Sequence, residues 1–121
     1  MKQQLFQFSY EIYDSAADLA SADAVLLNKA QAVTQFAYAP YSRFRVGAAA
    51  ILDNGETVTG TNQENASFPA GICAERVLMS TASSLYPGIP IHTLAISYDN
   101  ENGLSVHPIF PCGICRQSLQ E

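Results

Sequence analysis

Nine residues, FRVGAAAIL at 44–52, constrain the fold most. They are apolar at both parities, so a strand formed here has no face to turn to water. The stretch is read as a buried strand carrying small residues. Asp53-Asn54-Gly55 follows at once and supplies a tight hairpin turn. ETVTGTNQ, rich in β-branched residues, is then the partner strand.

The other elements arrange themselves around this hairpin. Ala22 to Tyr38 reads as a helix with Leu26, Ala30, Val33 and Ala37 on one face, stopped by Pro40. A second helix is expected from Cys73 to Leu85, with Val77, Leu78 and Ala82 facing the core, before Pro87, Gly88 and Pro90 break it. IHTLAISY (91–98) is a third strand, DNENG a loop, and a short helix starts at about Cys112 behind Pro111. LFQFSYEI at 5–12 alternates apolar and polar and suggests an extended arm or an edge strand. The order α-β-β-α-β-α, a hairpin followed by a βαβ crossover, predicts an α/β fold: a mixed sheet covered by helices. No repeat or linker divides residues 1–121, which are read as a single domain with an N-terminal arm over about 1–20.

Charge narrows the partners. Only 14% of residues are charged and the net charge is −5, which speaks against nucleic acid and for a small, weakly charged substrate. No run of about 18 apolar residues exists to span a membrane. The opening MKQQLFQFSYEIYDS reads as neither signal peptide nor anchor, so a cytoplasmic location is expected. Thiols stay reduced there, and an odd count of 3 cysteines does not suit a simple disulfide framework.

Those cysteines fall in two stretches, GICAERV (71–77) and PCGICRQ (111–117). Cys112 and Cys115, spaced C-x-x-C at a helix start, suit a metal ion; a redox dithiol or two packed thiols are the competing readings. Cys73 shifts the balance, because it too stands at a helix start. If both helices share one face of the sheet, their N-termini point at one place. Three thiolates and one open position are the pattern of a catalytic zinc. His92 and His107 lack ligand spacing to any cysteine and are read as a strand and a loop residue. A zinc ion held by three thiolates is net negative, so the positive ends of two helices, and Arg76 and Arg116, are candidates to offset that charge; the plainer reading of each arginine is a surface residue. Glu75 lies beside a ligand without being one and is the candidate acid/base, although an acidic residue also simply suits a helix's first turn.

The pairing of C-A-E-R with P-C-x-x-C resembles the zinc-dependent nucleoside deaminases, a group whose related signature is well described. AYAPYSRFRVGAA (37–49), NQENASFPAGICAER (62–76) and PCGICRQ (111–117) are similar to the small homotetrameric cytidine deaminases. The resemblance implies a three-layer domain and one Zn²⁺ per chain on Cys73, Cys112 and Cys115, with Glu75 moving protons. It also implies Phe44 packing on the base, Asn62 and Glu64 holding ribose hydroxyls, and the Ala74 N–H meeting the pyrimidine carbonyl. The reaction implied is hydrolytic deamination of cytidine and deoxycytidine to uridine and deoxyuridine, in pyrimidine salvage, by a homotetramer. Family members run on past the position of Glu121 into two more strands and another helix, so the domain is expected to be C-terminally short.

Two rivals remain open. A deaminase of a cytosine-containing antibiotic nucleoside would share the metal motif, but Asn62-Gln63-Glu64-Asn65 favours ordinary nucleosides. A catalytically silent zinc-binding relative would have no need of Glu75.

Overall fold

The computed structural model describes residues 1–121. Its centre is the hairpin. Strand β1 (Phe44–Leu52) pairs antiparallel with β2 (Thr57–Thr61) on one side and with β3 (Ile91–Asn100) on the other, giving the order β2-β1-β3. Gly55 takes the positive φ of 85° that the turn needs, and its N–H closes on the Leu52 carbonyl at 2.8 Å.

Helix α1 (Ser21–Val33) covers one face of the sheet, and α2 (Ala74–Leu85) covers the other. Alternation along β1 sorts its small residues between them. Ala49 packs with Leu26 and Ala30 of α1; Ala48, Ala50 and Leu52 pack with Leu78 and Ala82 of α2. This is the expected three-layer α/β arrangement. A short helix, α3 (Gly113–Gln120), follows β3 and contacts α2.

Three expectations need correction. The sheet is not mixed: both strand pairs are antiparallel. The β2-α2-β3 crossover is present, but β1 lies between the two parallel strands, so neither bonds the other. Residues 5–12 form no edge strand; no backbone hydrogen bond involves the chain before Ser15, and Phe6, Phe8 and Tyr10 are exposed. The first helix ends at Val33 rather than Tyr38 and tightens into a 3-10 turn at Thr34–Phe36, where the Thr34 hydroxyl donates to the Gln31 carbonyl at 2.7 Å.

Two glycines set how closely the layers approach. A Cβ on Gly47 would stand 2.1 Å from the Ala30 carbonyl oxygen, and one on Gly60 would stand 2.5 Å from both the Ala74 oxygen and the Leu78 nitrogen. The second contact seats the first turn of α2 directly on β2. No helix is long and apolar enough to cross a membrane.

Candidate active site

The two cysteine stretches meet. Cys73 is the N-cap residue of α2, and Cys112 is the N-cap residue of α3. Cys115 lies one turn into α3 and is buried. The sulfurs of Cys73 and Cys112 are 3.6 Å apart, those of Cys112 and Cys115 are 3.3 Å apart, and all three lie within 4.8 Å of one another. Tetrahedral zinc with Zn–S bonds of about 2.3 Å needs sulfurs about 3.8 Å apart, so the donor set fits that ion with small adjustments.

The three thiols are free and hold their protons unequally. The Cys115 N–H donates to the Cys112 sulfur at 3.4 Å, and this bond leads in drawing the Cys112 thiol below its ordinary pKa. Burial pushes Cys73 and Cys115 up, and the nearby Glu75 charge pushes both the same way. The α3 N-terminus therefore favours the thiolate form of Cys112. Neither Arg76 nor Arg116 hydrogen-bonds a sulfur. Arg116 is exposed, and Arg76 instead donates to the Gly71 carbonyl at 3.4 Å while its Nε is buried without a partner.

A cleft of about 890 Å³ opens over Cys73 and Cys112. Glu75 lines it although only 5% exposed, and Ala74, fully buried, lines it beside Cys73. Asn62 and Glu64 reach it because residues 62–64 are threaded between two other stretches of backbone. Tyr38 bonds Asn62 and Glu64 on one side, and Ile72 bonds Gln63 on the other.

Their side chains are already engaged. The Asn62 amide accepts from the Val46 N–H at 2.7 Å and donates to the Phe44 carbonyl at 2.9 Å, extending the β1–β2 ladder by one side chain. Glu64 accepts the N–H groups of Tyr41 and Ser42 at 3.1 and 3.2 Å. Partial burial works against its charge, but the bonds from Ser42 and Tyr41 prevail and hold its carboxyl below the ordinary value. Phe44 does not line the cleft; its ring stacks on Tyr98 with centroids 5.0 Å apart. Sequence reasoning missed the apolar rim formed by Phe68, Ile72, Ile109, Phe110 and Ile114. Apolar residues flanking both cysteine motifs were its only trace in the sequence.

A sheet between helices, with two helix N-termini converging three thiols and a carboxylate under a cleft, defines a zinc-site α/β domain of the deaminase type. The chain belongs to the cytidine and deoxycytidylate deaminase family: residues 20–121 match the model of its zinc-binding region. It is 46% identical over 85 residues to the cytidine deaminase of Mycobacterium tuberculosis H37Rv, covering 70% of this chain and 59% of that protein. With the cytidine deaminase of Halalkalibacterium halodurans it shares 37% over 97 residues, 80% of this chain and 69% of the relative. The crystal structure of cytidine deaminase from Burkholderia pseudomallei superposes with a TM-score of 0.72 at 35% identity, covering 85% of this chain and 76% of that one. The Mycobacterium leprae enzyme gives 0.71 at 34%, covering 83% and 78%. The chain thus spans about three-fifths of the length of the mycobacterial relative.

Proposed function

We propose that this chain hydrolytically deaminates cytidine and deoxycytidine, releasing ammonia and forming uridine and deoxyuridine. One observation carries the reading: Cys73, Cys112 and Cys115 converge near the buried Glu75, with Cys73, Cys112 and Glu75 lining the cleft. The three cysteines hold one zinc ion. Bound zinc supplies the Lewis acidity that makes water nucleophilic near neutral pH.

The chain's own groups do the rest. Glu75 takes one proton from the attacking water and delivers it to the ring nitrogen, then takes the proton of the newly attached hydroxyl and passes it to the departing amine, so that the carbonyl forms as the C–N bond breaks. The Ala74 N–H, in the first turn of α2, meets the pyrimidine carbonyl. Glu64, kept ionised by Tyr41 and Ser42, has a second carboxylate oxygen with which to accept a ribose hydroxyl. Asn62 contributes through its remaining amide hydrogen and by fixing the start of β1. Phe44, held by its stack on Tyr98, packs against the base once substrate fills the cleft.

The chain is read as one deaminase-type domain in a reducing, cytoplasmic compartment that suits three free thiols. It assembles as a homotetramer, supported by apolar side chains left bare around the cleft: Phe68 is 91% exposed and Phe110 is 83% exposed. The test is an ultraviolet assay of purified protein with cytidine and deoxycytidine, with metal analysis and light scattering on the same sample. Turnover with one zinc per chain upholds the reading. One zinc without turnover on either nucleoside assigns a silent relative or an enzyme for another cytosine nucleoside.

A further inference from the structure

Tyr98 belongs to no motif, yet it touches two segments that flank the site, the start of β1 and the loop that leads to Cys112. It pairs with Val46 across β1 and β3, so it shares the sheet face of Val46 and Phe44. Its ring stacks on Phe44 at 5.0 Å with an interplanar angle of 20°. Its hydroxyl donates to the His107 carbonyl at 2.5 Å and accepts the His107 N–H at 3.2 Å. One side chain thereby satisfies both backbone groups of one loop residue.

That loop needs the anchor. Residues 104–111 form no regular structure. Apart from Ser105, whose hydroxyl accepts the Asn100 N–H at 3.0 Å, their hydrogen bonds to the rest of the chain pass through Tyr98. Beyond His107 come Pro108, Ile109, Phe110 and Pro111, then Cys112. Proline fixes φ near −65°, so two prolines in four residues make this connector stiff. Where His107 is held, Cys112 is delivered.

We propose that Tyr98 is a positioning residue that sets Cys112 for zinc through the His107 clasp and braces Phe44 through the ring stack. The proposal rests on the zinc reading above. Tyr98→Phe keeps the stack and removes the clasp; Tyr98→Leu removes both.

The test uses the full chain. Zinc affinity is read by competition with a chromophoric chelator, and backbone amide exchange is followed by mass spectrometry on the metal-free protein. Tyr98→Phe is expected to weaken zinc on the order of tenfold, the lower end of what loss of supporting contacts around metal ligands produces. It also speeds exchange over residues 104–115 and leaves residues 44–52 unchanged. With zinc in excess, Tyr98→Leu raises KM for cytidine several-fold over Tyr98→Phe, and equal KM values in the two variants overturn the brace. Zinc affinity within twofold of the parent in Tyr98→Phe overturns the proposal. So does a loss matched by equally faster exchange in β1, which marks general loosening. A parent that takes no zinc is a failure of the zinc reading, and the exchange arm then decides the clasp without metal: unchanged exchange over 104–115 overturns it.

Discussion

Gly60→Ala is the sharpest probe of how the fold holds the site. The added methyl would meet the Ala74 oxygen and the Leu78 nitrogen at 2.5 Å, about 0.9 Å short of the 3.4 Å where ordinary contact begins. Both neighbours are backbone atoms, so no side chain can swing aside. The whole first turn of α2 must lift from β2. Overpacking costs about 1–3 kcal/mol, and a backbone clash belongs in the upper part of that range, about 2–3 kcal/mol. At roughly 3–6 °C per kcal/mol for a chain of this size, Tm falls by roughly 10 °C. The functional loss is larger, because Cys73 caps the displaced turn and metal ligation tolerates errors of only about 0.2 Å. Zinc affinity is therefore expected to drop more than tenfold. Calorimetry gives the first quantity and chelator competition the second. Gly113→Ala is the control: its Cβ would meet nothing within 4 Å, so it should be neutral or slightly stabilising in α3. A Gly60→Ala chain with Tm within about 2 °C of the parent and unchanged zinc affinity would refute the idea that close approach sets the position of α2.

Glu75→Gln should retain zinc and Tm yet lose about 10²–10⁴-fold in kcat, since the amide cannot carry the proton; near-parental kcat would move that role to another group. Asn62→Ala removes two bonds to the β1 backbone and should cost roughly 1–3 kcal/mol in urea unfolding; a loss under about 0.5 kcal/mol would mean that water replaces the amide. Glu64 has its carboxyl held below the ordinary 4.5, so its stabilisation is present above that value and is lost as pH falls through the depressed one. Parent and Glu64→Gln should therefore differ in stability at pH 7 and converge in acid below about pH 4.5, and parallel unfolding curves across that range would contradict the bond pattern.

The parts legible in the sequence were those written in local chemistry. Asp53-Asn54-Gly55 has one comfortable conformation, so β1 and β2 followed from it. Cys73 and Cys112 sit at helix starts whose capping is a matter of a few residues. Strand neighbourhood is different: nothing in IHTLAISY says whether β3 joins β1 or β2, and the expected mixed sheet failed there. The role of Asn62 as an extension of the ladder was hidden because a side chain stands in for backbone. Arg76 bonds the Gly71 carbonyl and not a sulfur, because a charge near a cysteine in sequence need not face it on a helix. Tyr98 and Phe44 meet across strands on a diagonal, a relation that no local pattern encodes.

The two halves of the metal set come from opposite sides of β3, with Cys73 and Cys112 separated by 39 positions. Bringing such a separation together costs roughly 3 kcal/mol of chain entropy. During synthesis Cys73 emerges long before Cys112 and Cys115 exist, so the nascent chain can offer an ion one thiol and then, separately, a pair. The full trio forms only when the crossover from β2 through α2 to β3 has closed. Zinc capture is therefore a late event on the folding path, and the rate at which refolding protein withdraws zinc from a chelator reports how fast the last long-range contacts form.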